Sequence, residues 1–178
     1  ELSDDNTGTG PGIKHALEWY IANIGKPDLV LTVYPSAVFI TAGDLEAALE
    51  QLLDSGSQSL IACGEYEYPI QRALFLNADN RIEMFSPEYI NTRTQDCQEA
   101  FHDAGQLYFS TTDAVLEGSG EFSNDSTMFV LPRHKVIGLV SIRANNKITS
   151  LLKNAWKYKK GTVFCRRGSN SVTAPVNF

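Results

Sequence analysis

The sequence contains few cysteines, and they are not arranged as a disulfide framework or a metal site would require. Only Cys63, Cys97 and Cys165 occur among its 178 residues, and no two of them form a CxxC pair. Three widely spaced cysteines argue against a disulfide framework and against a zinc ribbon. We therefore expect reduced thiols and a cytoplasmic protein.

Long apolar runs are also absent. No run approaches the roughly 18 apolar residues that a membrane span needs, and no basic segment followed by an apolar one opens the chain. Hydrophobic residues make up 43% of the sequence and charged residues 20%, which is the composition of a globular domain. The sequence therefore predicts neither a membrane partner nor a disordered chain.

The common signatures of catalytic and metal sites are missing as well. His15, His102 and His134 stand apart, with neither HxxxH nor HExxH spacing. The sequence contains no GxSxG nucleophile elbow and no GxxxxGKS/T phosphate loop. On these grounds we assign no catalytic residue and no metal ligand.

Acidic residues are missing from the last part of the chain. Residues 1–139 contain all 21 acidic residues and seven of the 15 lysines and arginines, for a net charge of −14, whereas residues 140–178 carry the other eight bases, for +8. Such a step marks a boundary, so we divide the chain into a domain over 1–139 and a basic tail over 140–178 with one helix. The bases of the tail could contact phosphates, but the acidic body would repel a polyanion, which argues against nucleic acid as a partner.

Helical and strand periods alternate along the domain. Apolar residues at three- and four-residue spacing predict one helix after Pro11 and another after Thr41, where Thr41 and Asp44 form a capping box. Apolar runs at 29–34 and 59–63 predict strands on either side of the second helix. This order is a βαβ unit, which is typical of an α/β fold with a mainly parallel sheet.

The middle of the domain predicts further strands. The turn-forming residues Asn77–Asn80 separate two short apolar segments, which indicates a small hairpin insertion. Residues 86–103 are polar and irregular, and another strand is predicted over Gln106–Ser110. The sequence thus predicts an α/β domain with an inserted hairpin.

Two polar segments are candidates for binding. The loop Thr7–Gly10 precedes a helix and could present backbone N–H groups to an anion, although such loops before helices are common. The segment from Arg93 to Tyr108 combines a guanidinium, amides, carboxylates and a phenol, which are the groups that hold a polyhydroxylated acid. A solvated loop of mixed charge has a similar composition, so composition leaves both interpretations open.

Several motifs in one register carry a family resemblance. Leu2–Asp5, Thr7–Thr9 and Ile13–Trp19 are followed by Pro69–Leu74, Met84–Glu88, the Arg93–Tyr108 block with its His102-Asp103-Ala104-Gly105-Gln106, Phe122-Ser123 and Leu131-Pro132-Arg133. Over about residues 1–137, these motifs resemble the acylneuraminate cytidylyltransferase (CMP-sialic acid synthetase) family, and most closely its pseudaminic acid branch. Several motifs in one order are more specific than any single one.

The resemblance implies a nucleotide-diphospho-sugar transferase fold of Rossmann-like type and a homodimer. It also implies an Mg²⁺-dependent reaction of CTP with a nonulosonic acid, here pseudaminic acid, that gives a CMP-sugar and pyrophosphate. The residues that it places at the nucleotide are Ser3, Thr7, Thr9, Tyr34, Pro35 and Ser36. Those that it places at the sugar are Gln71, Arg72, Arg93, Gln95, Asp96, Asp103, Gln106 and Tyr108, with Arg93 as a partner for the sugar's carboxylate.

Two parts of the family pattern have no match in the sequence. The family begins with a strand and a glycine-rich basic loop that grips the triphosphate, and we expect this chain to start after that loop. The segment that follows Leu131-Pro132-Arg133 should contain an Asp-x-Asp metal site, but residues 136–141 contain no carboxylate, so no Mg²⁺ ligand is found. We therefore expect a partial domain over 1–139 with weak or no activity. N-acetylneuraminate or legionaminate as the sugar, or a non-catalytic sugar-binding or dimerising remnant, stay open as alternatives.

Overall fold

The computed structural model describes residues 8–34, 37–119 and 122–136, together with the backbone of residues 162–167 and 170–174. Ser3, Thr7, Pro35, Ser36 and the predicted helix of the basic tail lie outside these residues. In the part of the chain that is described, no helix is both long and apolar enough to cross a membrane.

Helices and strands alternate along the described residues. The helices are α1 (Thr9–Asn23), α2 (Ala42–Ser55) and α3 (Thr112–Glu117). The strands are β1 (Leu29–Val33), β2 (Ser59–Glu65), β3 (Leu74–Leu76), β4 (Ile82–Met84), β5 (Phe101–Thr111), β6 (Ser126–Val130), β7 (Thr162–Arg167) and β8 (Asn170–Ala174).

A six-stranded mixed sheet in the order β6-β2-β5-β1-β7-β8 organises the fold, and β3 and β4 form a separate hairpin. Strands β1 and β2 both pair antiparallel with β5, and β6 pairs parallel with β2. Strands β1, β2 and β6 therefore run in one direction, as the predicted βαβ unit requires. The predicted α/β class is confirmed, but the sheet is mixed in its pairings because β5 lies between β1 and β2 and runs against both.

Helix α2 is fixed at both ends by local sequence. The N–H of Thr41 donates to the Asp44 carboxylate at 2.8 Å, and the N–H of Asp44 donates to Thr41 Oγ1 at 3.4 Å, which is the predicted capping box. At the other end Gly56 takes a left-handed conformation with φ 65°, which glycine adopts without strain. The helix buries Ala48 and Leu52 against the sheet. The other buried members of this core are Leu31, Leu60, Ala62, Ala104, Leu107, Phe109 and Leu131.

Strand β5 begins earlier than the sequence pattern predicts. It starts at Phe101, whereas alternation predicted a strand only from Gln106. Gly105 has φ 62°, and the register between β2 and β5 shifts between Ile61 and Cys63. Such a bulge breaks the two-residue period, and this is why the pattern missed the first residues of the strand.

The predicted hairpin is confirmed as β3 and β4. Asn77 Oδ1 accepts hydrogen bonds from the N–H groups of Asp79 and Arg81 at 3.0 and 2.9 Å, and Asn80 takes a positive φ of 57°. Both features are typical of asparagine in tight turns.

A partly buried ion pair joins the start of α2 to the turn after β6. Lys135 Nζ lies 2.8 and 2.6 Å from the two carboxylate oxygens of Asp44, and the side chains are only 18% and 13% exposed. Burial raises the pKa of Asp44, but the hydrogen bonds from Lys135 and Thr41 outweigh it and hold the pKa below its ordinary value.

We expect Asp44→Asn to lower the free energy of unfolding by about 1–3 kcal/mol at neutral pH, because the Lys135 ammonium would stay partly buried without its partner. Since the folded pKa of Asp44 is lowered, its contribution is complete above the ordinary aspartate pKa of about 3.9 and is lost as the pH falls through the lower folded value.

Urea unfolding at a series of pH values measures the difference between the variant and the parent. The difference should be largest near neutral pH and should shrink below about pH 4. Asp113→Asn, which removes an exposed pair with Lys26, is the control and should change stability by no more than about 1 kcal/mol. A difference for Asp44→Asn that is independent of pH would contradict this account.

Candidate functional site

A cleft of about 1080 Å³ opens at the carboxyl ends of β2 and β6. Ligands of open α/β sheets commonly bind at this edge. Strand β5 runs the other way, so its first residues reach the same edge as the last residues of β2. The cleft is lined by Glu65, Tyr66, Glu67, His102, Asp103, Ala104, Gly105, Val130, Leu131, Pro132, Arg133 and Val136.

Asp103 is an exposed carboxylate in this cleft, and hydrogen bonds from two neighbouring groups of the protein hold it in place. The Tyr108 phenol donates to it, with distances of 2.9 and 2.8 Å from the phenol oxygen to the two carboxylate oxygens. The N–H of Gly105 donates to Asp103 Oδ1 at 2.8 Å. An ionised carboxylate can accept about four hydrogen bonds, so capacity remains for hydroxyl groups of a ligand.

Tyr34 joins this group from the end of β1. Its ring centroid lies 5.1 Å from that of Tyr108, and its hydroxyl lies 2.9 Å from Thr9 Oγ1 at the start of α1. Thr9 and Tyr34, which were predicted to face the nucleotide, are thus linked through Tyr108 to Asp103, which was predicted to face the sugar. The fold brings these four predicted residues together.

Gln106 supports the cleft from inside the protein. It is 1% exposed, and its Nε2 donates to the backbone carbonyl of Lys135 at 2.8 Å. Its Oε1 is buried and has no hydrogen-bond partner among the described residues. The amide therefore fixes the turn Arg133–Lys135 to β5, while Gln106 itself is not among the residues that line the cleft.

The remaining predicted sugar residues lie in the insertion between β2 and β5. Gln71 Nε2 donates to the carbonyl of Gln98 at 3.0 Å, and Arg72 Nη1 donates to the carbonyl of Thr92 at 3.2 Å. These bonds tie the turns of the insertion together. The assignment of Gln71 and Arg72 to sugar binding stays a prediction.

Arg93 is engaged with another predicted site residue. Its Nε lies 2.7 Å from Asp96 Oδ2 and its Nη2 lies 3.1 Å from Asp96 Oδ1, so the guanidinium binds this carboxylate with two nitrogens. Gln95 is exposed on the same short helical turn, Thr94–Asp96. These three residues do not line the cleft, and their contact with a sugar also stays a prediction.

Of the residues that line the cleft, only Asp103 belongs to the predicted site, and Glu67, His102 and Arg133 are among those that were not predicted. Arg133 pairs with Glu67, which lowers the pKa of that carboxyl and raises the pKa of the guanidinium. His102 Nδ1 lies 3.0 Å from the carbonyl oxygen of Asp103, and its ring packs edge-on against Tyr66 with centroids 5.0 Å apart. The positions of Glu67 and Arg133 could have indicated them, because Glu67 follows β2 and Arg133 follows β6 at the edge of the sheet where ligands commonly bind.

The described residues do not fit the Mg²⁺ that the resemblance implies. No group of three or more His, Cys, Asp or Glu side chains converges among them. The cleft has three carboxylates, Glu65, Glu67 and Asp103, of which Glu67 is bound by Arg133. Cys63 is buried beside Asp103, and burial and then that negative charge raise the pKa of its thiol. The thiol therefore stays protonated near neutral pH and is a poor metal ligand.

Gly64 of β2 lies close to two residues that line the cleft, His102 and Val136. A Cβ at this position would lie 2.7 Å from Val136 Cγ1 and 2.9 Å from His102 Nε2. Both distances are shorter than real carbon contacts, so only glycine allows the imidazole and the valine to pack at this place.

We expect Gly64→Ala to lower the free energy of unfolding by about 1–3 kcal/mol through overpacking. Gly12→Ala is the matched control, because a Cβ there meets nothing within 4 Å and Gly12 lies inside α1. This control should stabilise the protein by about 0.5–1 kcal/mol. Chemical denaturation of both variants measures the two effects, and equal effects of the same sign would contradict the packing described at Gly64.

No family model matches the chain. The chain is nevertheless similar to the pseudaminic acid cytidylyltransferase of Campylobacter jejuni serotype O:23/36 strain 81-176, with 38% identity over 135 residues that cover 76% of this chain and 58% of the relative. It is 37% identical to the pseudaminic acid cytidylyltransferase of C. jejuni serotype O:2 over 142 residues, which cover 80% of this chain and 61% of the relative.

A third relative is the Helicobacter pylori protein named pseudaminic acid cytidylyltransferase and UDP-2,4-diacetamido-2,4,6-trideoxy-beta-L-altropyranose hydrolase. It is 27% identical over 143 residues, which cover 80% of this chain and 27% of that protein. The resemblance inferred from the motifs is thereby confirmed. The chain spans about three fifths of the length of the two Campylobacter relatives.

Proposed function

We propose that this chain, a relative of the pseudaminic acid cytidylyltransferases, is the sugar-binding part of an enzyme that activates pseudaminic acid. In that reaction the anomeric hydroxyl of the sugar attacks the α-phosphorus of CTP. A bond forms between the sugar oxygen and this phosphorus, the bond to the departing pyrophosphate breaks, and the hydroxyl proton is released. The observation that carries the proposal is the similarity to the two Campylobacter relatives over 76% and 80% of this chain.

The cleft supports a polyhydroxylated ligand. Asp103 is positioned to accept a hydrogen bond from a sugar hydroxyl, and Tyr108 and Gly105 keep its carboxylate in one orientation. A carboxylate that is already oriented does not lose conformational freedom when the sugar binds, and it can hold the reacting hydroxyl in a productive direction. Gln106 holds the turn that carries Arg133, because its Nε2 donates to the carbonyl of Lys135.

The proposal includes CTP as the second substrate and the cytoplasm as the location. Thr9 and Tyr34, which the resemblance assigns to the nucleotide, contact each other, and Tyr34 packs on Tyr108, which it assigns to the sugar. Ser3, Thr7, Pro35 and Ser36 would complete the nucleotide side.

Cys63 and Cys97 are free thiols, which agrees with a reducing compartment.

We expect the 178-residue chain to bind pseudaminic acid but to release no pyrophosphate from CTP, because residues 136–141, where the resemblance implies an Asp-x-Asp metal site, contain no carboxylate. Calorimetric titration measures sugar binding, and a coupled assay with CTP, Mg²⁺ and the sugar measures pyrophosphate. Asp103→Asn should weaken sugar binding about tenfold or more, since it removes a charged acceptor.

Asp113→Asn is the matched control because it removes a carboxylate on α3, outside the cleft, and it should bind the sugar as the parent does. Equal binding by Asp103→Asn and the parent would contradict the proposed sugar site, and pyrophosphate release would contradict the expectation that the chain is inactive. Tighter binding of N-acetylneuraminic or legionaminic acid in the same titration would instead favour one of the alternative sugars.

We also propose that the chain forms a homodimer through the hairpin. Leu74, Leu76 and Ile82 are 57% to 69% exposed and lie on one face of β3 and β4. Large apolar patches of this kind usually mark an interface. Two copies of one hairpin can cover each other around a two-fold axis, because the same patch then serves both sides.

Ile82→Glu should convert the dimer to a monomer, because a charge at the centre of this patch would be buried without a partner. Size-exclusion chromatography with light scattering measures the mass. Leu53→Glu is the matched control, since Leu53 is a 59% exposed leucine on α2 rather than on the hairpin. A parent that is monomeric at high concentration, or an Ile82→Glu variant that stays dimeric, would contradict this interface.

A further inference from the structure

We propose that Arg133 selects ligands that carry a carboxylate, and that Glu67 is the internal group which such a ligand displaces from Arg133. The proposal rests on the proposed function, because it concerns an acidic sugar in the same cleft. It gives a role to an ion pair that the motifs and the comparisons leave unassigned.

The ion pair of Glu67 and Arg133 lies in the cleft. Glu67 follows β2 and Arg133 follows β6, and both residues line the cleft. Their side chains are bound to each other, so the pair connects two walls of the cleft. A ligand that enters at this edge therefore meets the pair directly.

The charged side chains that line the cleft are mainly acidic. Among the described residues that line it, Arg133 is the only lysine or arginine, whereas Glu65, Glu67 and Asp103 are acidic. A ligand with a carboxylate would be repelled by three acidic groups unless it reached the one cation. Arg133 is therefore the group on which binding of an acid depends.

Because the ion pair is exposed, the carboxylate of a ligand can replace Glu67 on Arg133. The Arg133 and Glu67 side chains are 71% and 50% exposed, and an exposed pair of this kind contributes little stability. A carboxylate of the ligand can accept a hydrogen bond from the guanidinium as Glu67 Oε2 does. Exchange thus replaces one carboxylate by another, and binding is weakened only by the small cost of releasing Glu67.

Arg93 differs from Arg133 in its position rather than in its exposure. Its pair with Asp96 is 70% and 46% exposed, but neither Arg93 nor Asp96 lines the cleft. The structure thus distinguishes two arginines that the sequence did not.

The test compares pseudaminic acid with its methyl ester, which keeps the ring and the hydroxyls but has no charge. Calorimetric titrations at low salt measure the affinity of the parent, Glu67→Gln, Arg133→Gln, Arg93→Gln and the control Asp113→Asn. We expect Glu67→Gln to bind the acid about two- to fivefold more tightly, because the competing charge is gone. Arg133→Gln should bind the acid about tenfold or more weakly. Neither variant should change the affinity for the ester by more than about twofold, and melting temperatures confirm that each variant folds.

Several outcomes would overturn the proposal. Equal affinity of the parent for acid and ester would remove the selection itself, while sugar binding and the proposed function would stand. Loss of the preference for the acid in Arg93→Gln rather than in Arg133→Gln would assign the carboxylate to the insertion. An unchanged affinity of Glu67→Gln for the acid would show that Glu67 does not compete. Absence of all sugar binding in the parent and in every variant would overturn the proposed function together with this inference.

Discussion

The arrangement of the cleft depends on the backbone pairing of β5 with both β1 and β2. Because β5 runs against its two neighbours, its first residues lie at the edge where β2 and β6 end. Asp103 and His102 therefore stand opposite Glu65–Glu67 and Arg133, although these groups are far apart in the sequence. A shift of one residue in this pairing would turn Tyr108 and the buried side chains beside it to the other face. Register thus decides which groups face the ligand.

Local chemistry made much of the fold predictable. The capping box of Thr41 and Asp44 and the asparagine turn of the hairpin depend on neighbouring residues, so the sequence pattern found both. The place of β5 was not predictable in this way, because strand order depends on contacts between distant segments. The bulge at Gly105 further concealed the first part of β5. The pair of Asp44 and Lys135 joins residues 91 positions apart, and no periodicity reports such a contact.

The candidate site was predictable only in part, for a similar reason. The group types in the Arg93–Tyr108 segment suit a polyhydroxylated acid and also a solvated loop, and of its predicted residues only Asp103 lines the cleft. That composition draws attention to Arg93, which does not line the cleft, and gives no sign of Arg133, which does. Composition states which groups are present, but the fold decides which of them face the cleft. No motif marks Glu67 or Arg133 as a binding residue. Their positions just after β2 and β6 nevertheless place them at the edge of the sheet where ligands commonly bind.

The central claim is that an acidic sugar binds at the carboxyl edge of the sheet and contacts Asp103. A crystal structure of the chain grown with pseudaminic acid tests it most directly. The account predicts electron density for the sugar inside the cleft, with a hydroxyl within about 3 Å of the Asp103 carboxylate. Density for the sugar on the insertion, beside Arg93 and Asp96 and away from Asp103, would contradict it.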